Sequence, residues 1–218
     1  MFTSCGEAYK EVAARHQKEL EALEADLKKL ADLVPETFKG NEVELTGAMD
    51  PLPKFDGDEI SSNATILVWD QLADLEGDID DEILNLYLDT GVRNCFVWSA
   101  WDQTASDSYE EDLKHAAAIR YLITYKYYSY VAPQVDQSMN YTVGAAAAGV
   151  FIYDREKGEV VCAFPVAAMS DPTINYTYKE GENKPYAAKR WARSNLWEKV
   201  RVKLIEELAA KTGGTFEK

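Results

Sequence analysis

The chain has 218 residues, 46% hydrophobic and 28% charged, an ordinary balance for one folded domain with an appendage. Its formal charge of −15 and pI near 4.6 argue against nucleic-acid backbones as partners, since gripping their phosphates needs clustered Lys and Arg. No apolar run approaches the roughly 20 residues that a helix needs to cross a bilayer.

Residues 1–6 read Met1-Phe2-Thr3-Ser4-Cys5-Gly6. Small residues flanking a cysteine resemble the end of a bacterial lipoprotein signal, in which that cysteine is lipidated, although Phe2 stands where Leu is usual. Cys5 is therefore the candidate lipid-attachment residue. The alternative is an exposed cysteine near a frayed terminus.

Residues 7–34 carry a nearly unbroken heptad of Tyr9, Ala13, His16, Leu20, Leu23, Leu27, Leu30 and Val34, which predicts a long coiled-coil-like helix. Between them lie Glu and Lys in mixed order, several at i,i+4 such as Glu24 and Lys28, as a solvated face. Leu20, Leu23, Leu27 and Leu30 are the candidate seam for a partner helix or a second copy, unless the helix folds back along the domain. As a projecting arm it would hold the domain some 40 Å from an anchor at Cys5, at about 1.5 Å per residue. His16, on the seam, is expected to be a packing residue rather than a ligand.

Pro35 ends that helix, and residues 35–62 read as a connector with no sustained period. Asp50, Asp56, Asp58 and Glu59, and then Asp74, Glu76, Asp78, Asp80, Asp81 and Glu82, lack the glycine and bidentate glutamate spacing of an EF-hand. A solvated acidic surface is expected there. Residues 64–72 contain a short apolar run that predicts a strand, with a helical face as the alternative. A helix is expected from about Glu82 to Gly91, and residues 94–98 read as a buried strand or a helix-end packing unit. Ser108 and Glu111 form a candidate capping box for the next helix.

Residues 119–131 are dense in Tyr, Ile, Thr and Val and predict a central strand, with Tyr121, Ile123, Tyr125 and Tyr127 on one face and Leu122, Thr124, Lys126 and Tyr128 on the other. Residues 143–153 and 159–168 face each other across 154–158 as a hairpin. The small residues of 144–149 permit close approach of a covering helix and lack the spacing of a dinucleotide fingerprint. A polar loop to Lys184 follows, then a helix opened by Pro185 and stopped before Gly213-Gly214. Its first half is basic, and Lys189, Arg190, Arg193, Lys199 and Arg201 form a candidate docking face for an acidic partner or anionic lipid. Pairing with the acidic body is the alternative.

The three cysteines and two histidines show no zinc-ligand spacing, so no metal site is expected. Cys95 and Cys162 lie in apolar sequence and read as buried hydrophobes rather than a disulfide. Neither His16 nor His115 has a partner motif for acid–base work, so no catalytic residue and no cofactor is expected.

The order strand, helix, strand, helix, tyrosine-bearing strand and hairpin, with its turn Ile152-Tyr153-Asp154-Arg155-Glu156-Lys157-Gly158-Glu159-Val160-Val161, resembles small α/β domains of bacterial envelope lipoproteins. Those of curli secretion and of penicillin-binding-protein activation are of this kind, and the likeness covers about residues 64–210. It implies an accessory or assembly role and supplies no catalytic residue.

The expected fold is α+β (or α/β), with an antiparallel-rich sheet and hairpin covered by the C-terminal helix. The expected organisation is a signal remnant at 1–6, a helical arm at 7–34, a connector at 35–62, an α/β domain at 63–212 and a tail at 213–218. The expected function is a non-enzymatic, envelope-associated interaction or assembly protein on the periplasmic side, anchored at Cys5, with a protein partner or second copy on the arm and no nucleic acid. A cytoplasmic coiled-coil adaptor and a carboxylate-dependent hydrolase are the alternatives.

Overall fold

The computed structural model describes residues 7–40, 63–69, 72 and 90–213. Cys5, most of the expected connector, the acidic groups of 50–59 and 74–82, most of the helix expected from Glu82, and the tail beyond Gly213 lie outside the described residues.

The strands are β1 (Ala64–Val68), β2 (Tyr121–Val131), β3 (Gln134–Val135), β4 (Tyr141–Thr142), β5 (Ala145–Asp154) and β6 (Glu159–Met169). Four of them form a mixed sheet in the order β1-β2-β5-β6, and β3 pairs with β4 as a separate ribbon. β1 runs parallel to β2, with Ala64 opposite Tyr121 and Val68 opposite Tyr125. The other pairings are antiparallel, and the expected β5–β6 hairpin forms, with Asp154, expected in the turn, ending β5 opposite Glu159. Gly158 takes φ 68° at that turn, a left-handed conformation that glycine adopts without a Cβ penalty.

The helices are α1 (Tyr9–Arg15), α2 (Gln17–Leu33), α3 (Thr90–Trp98), α4 (Tyr109–Ala118) and α5 (Lys184–Thr212). One face of the sheet carries Ile123, Tyr125, Ala148, Val150, Ile152 and Phe164, and α5 covers it with Leu196, Trp197, Val200, Leu204 and Leu208. The small side chains Ala146 and Ala148 sit beneath that helix. The other face carries Leu122, Phe151, Tyr153 and Ala163, covered by Leu23, Leu27 and Leu30 of α2 and Leu113 of α4. The result is an α+β arrangement of three layers.

The N-terminal helix is therefore not a coiled-coil arm. Leu23, Leu27 and Leu30 are 0% exposed within the fold, and Leu20 is half-buried. A heptad specifies an apolar stripe, and the second face of this sheet is apolar enough to take it. Each buried leucine is worth about 1.5–3 kcal/mol against leaving it in water. The helix also breaks at His16 (φ −110°, ψ 15°), which separates α1 from α2. Beyond the break, Tyr9 enters an aromatic cluster, with its ring centroid 4.7 Å from Tyr109 and 5.3 Å from Trp98. The backbone follows it. Tyr9 N–H donates to the Gln103 carbonyl at 3.0 Å, and Ala105 N–H to the Glu7 carbonyl at 2.9 Å.

Of the two readings of residues 94–98 the helix-end packing unit holds, since they close helix α3. One smaller expectation changes. Ser108 takes an αR conformation and makes no side-chain cap to α4, so the expected capping box does not form. The C-terminal helix keeps its signals: Asn183 Oδ1 accepts Tyr186 N–H at 3.2 Å, Pro185 lies in the first turn and Gly213 closes the end at φ 71°. Cys95 and Cys162 are both buried, and the sheet stands between them, since they belong to the cores on its two faces.

Candidate functional site

After β6 the chain turns back along α5, and the start of that turn is fixed. The Ser170 hydroxyl, buried, accepts Gly144 N–H at 2.9 Å and lies 2.6 Å from the Tyr141 hydroxyl. Asp171 follows and is tied to α5 from three directions. Its N–H donates to Asn195 Oδ1 at 2.8 Å, Asn195 Nδ2 donates to Asp171 Oδ2 at 2.9 Å, and Lys199 Nζ stands 3.0 Å from Asp171 Oδ1.

Trp191, Ser194, Asn195 and Glu198 recur at steps of three and four on α5, so one side of the helix presents them together. Facing them across a gap are Thr173, Ile174 and Asn175 of the returning loop, and the two walls enclose a cleft of about 510 Å³. Small-ligand sites fall in the range of roughly 300–1,000 Å³. Trp191 is 41% exposed, and its Nε1–H donates to the Thr177 carbonyl at 3.1 Å, which fixes the indole while leaving much of it open.

The charges in the cleft are paired. Hydrogen bonds from Asn195 and Lys199 hold the Asp171 carboxyl below the ordinary carboxylate range, against a smaller opposing effect of burial. Glu198 accepts two bonds from Arg201, at 2.7 and 2.8 Å. Both carboxylates can thus receive further hydrogen bonds while their charge is already balanced.

A second concavity, of about 360 Å³, lies where α2 ends, lined by Leu33, Pro35, Phe38, Phe151, Val160 and Ala163 among others. Its walls are mainly apolar, and the Tyr128 hydroxyl donates to the Pro35 carbonyl at 2.7 Å beside it.

Of the expected docking face, Arg190 meets Glu182 at 3.4 Å, Lys199 meets Asp171 and Arg201 meets Glu198, while Lys189 and Arg193 are half-buried. The seam leucines lie on the far side of the sheet from these cations. His16 and His115 remain apart from the cleft on α1–α2 and α4, with His16 Nε2 3.8 Å from Glu110. Among the described residues no group of three or more His, Cys, Asp or Glu side chains could hold a metal ion. The sequence shows this segment only as a polar loop and carries no motif that marks Asp171, Trp191 and Asn195. The available signal was the polar stripe of Trp191, Asn195 and Glu198 on a helix whose opposite stripe is apolar. No protein-family model, curated protein or solved structure matches the chain.

Proposed function

We propose that this chain is a non-enzymatic binding or assembly protein that works by contact, held at the periplasmic side of the bacterial envelope through Cys5. The observation that carries the contact reading is the cleft on α5. It combines a fixed, open indole with polar groups whose hydrogen bonds and charges are already organised, so little ordering is left for binding to impose.

The anchor reading rests on Ser4-Cys5-Gly6. With α1 and α2 folded onto the domain, an anchored chain would sit close to the bilayer rather than at arm's length, because Glu7 is bonded to Ala105. Among the described residues no helix is long and apolar enough to cross a membrane, so a lipid on Cys5 would provide the attachment in this reading.

Two measurements test it. Palmitate labelling and fractionation of wild type and Cys5→Ser should show label and membrane association only in the wild type; unlabelled protein in the soluble fraction for both would remove the anchor from the proposal. A photo-cross-linking residue placed at Thr173 should capture a bound molecule in cells, and the same residue placed at exposed Lys203 should not. Equal capture at both positions would remove the cleft from the proposal.

A further inference from the structure

The cleft has a composition that narrows its ligand. An anionic ligand would meet no cation in the lining, and the nearby Lys199 and Arg201 are already engaged by Asp171 and Glu198. A cationic one would have to displace Lys199 or Arg201, each already within 3.0 Å of its carboxylate. A wholly apolar one would strip water from those charged groups without replacing its hydrogen bonds. The surviving class is neutral and rich in hydroxyl donors, with one flat apolar face.

The acceptor count points the same way. An ionised carboxylate has about four lone-pair sites. Asp171 spends its oxygens on one bond each from Asn195 and Lys199, which leaves sites for incoming O–H groups. Ser194 adds a hydroxyl that both donates and accepts, and Asn175 adds an amide from the opposite wall. Beside them the Trp191 indole, held by its bond to the Thr177 carbonyl, offers a rigid apolar ring.

We propose that the cleft between the loop from Asp171 and helix α5 binds a neutral β-linked oligosaccharide, with a sugar ring on Trp191 and its hydroxyls on Asp171, Ser194 and Asn195. This rests on the reading that the cleft is where the protein makes contact. Equatorially substituted pyranoses fit best, because their axial C–H bonds form the flat face that an indole can cover.

The test is titration of the full chain with tetra-N-acetylchitotetraose and cellotetraose, and with α-linked maltotetraose as comparator, followed by NMR of the indole N–H signals of its five tryptophans. Saturable movement of the Trp191 signal by a β-linked tetrasaccharide is expected, with weaker or no response to maltotetraose. Trp191→Ala should weaken binding at least about tenfold, or roughly 1.4 kcal/mol. Trp101→Phe, on the opposite side of the sheet, should leave it unchanged. Thr173→Trp should block the cleft from the loop wall and abolish binding even if Trp191→Ala fails to fold. No saturation at millimolar sugar would overturn the proposal, as would wild-type affinity in both cleft variants. If sugars fail while Thr173 still cross-links a ligand in cells, the ligand class is wrong and the contact reading stands; if both fail, both are wrong.

Discussion

The Arg155 guanidinium, at the β5–β6 turn, donates from Nε to Asp26 Oδ2 of α2 at 2.8 Å. Its Nη1 also donates to the carbonyls of Ala117 and Ile119, at 3.2 and 2.5 Å, where α4 ends. One side chain thereby joins the hairpin, the N-terminal helix and the end of α4. The Tyr153 hydroxyl adds a bond to Asp26 Oδ1 at 3.3 Å, and burial together with the Asp26 charge pushes that phenol up to about 12, so it stays a donor at neutral pH. Because Arg155 is 13% exposed and its partners are charged or carbonyl groups, Arg155→Ala is expected to cost about 2–3 kcal/mol in urea denaturation. A cost below about 0.5 kcal/mol, the usual scatter for a surface change, would show that the clasp is ornamental to stability.

The docked helix makes a sharper prediction about the leucine stripe. Leu27→Ala removes a fully buried side chain from the core against the sheet and should cost about 2–5 kcal/mol, whereas Leu20→Ala, at a half-buried position, should cost less. Unfolding midpoints of wild type and both variants should not change with protein concentration. A midpoint that rises with concentration in the wild type and loses that dependence in Leu27→Ala would restore the stripe to intermolecular pairing.

The central sheet was legible in the sequence because alternation and tyrosine density speak for themselves over a strand as long as β2. The predicted faces hold until the irregularity between Tyr127 and Ser129. Past it, Tyr130 joins the α5 side, stacked on Trp197 at 5.5 Å, which a strict period of two cannot anticipate. The apolar stripe of 7–34 was equally legible, but its partner was not. A heptad looks the same whether it meets another helix or a sheet face, and the kink at His16 depends on the distant Trp98 and Tyr109 that hold Tyr9. The cleft was the least legible part, since Asp171 and Asn195 are 24 residues apart and carry no motif. Only the return of the chain along α5 brings them together.

Acid should act on the hairpin turn. Asp154 is 1% exposed, and burial alone would raise its carboxyl. Bonds from Arg120, at 3.0 and 3.3 Å, and from the Glu156 N–H, at 3.0 Å, outweigh burial and hold it below the ordinary carboxylate range. A depressed folded value means that the stabilisation is complete above the unfolded value of about 3.9 and is lost as pH falls through the folded one. Asp154→Asn should therefore be less stable than wild type at pH 7, with the gap narrowing below about pH 4. Urea midpoints measured across that range decide it, and parallel curves for the two proteins would mean that another carboxylate governs the acid response.

Gly144 links stability to the cleft. A Cβ added there would stand 2.5 Å from Pro133 Cδ, 2.6 Å from Pro133 N and 2.8 Å from the Val131 carbonyl oxygen. Those are backbone or ring atoms that cannot rotate away, so the end of β2 would have to move. At Gly149 the added Cβ would instead meet Tyr128 and Phe38 ring atoms at 2.9–3.0 Å, and rings can yield. Gly144→Ala is accordingly expected to cost about 1–3 kcal/mol, more than Gly149→Ala. Gly144 also donates to the Ser170 hydroxyl at 2.9 Å and accepts Ser170 N–H at 3.0 Å, so a shift at this residue carries the loop that begins at Asp171. The same variant should move the Trp191 indole signal and weaken oligosaccharide binding, while Gly149→Ala leaves both in place. If Gly144→Ala lowers stability with no change at Trp191, the clash is absorbed inside β2 and the β5 end does not position the cleft.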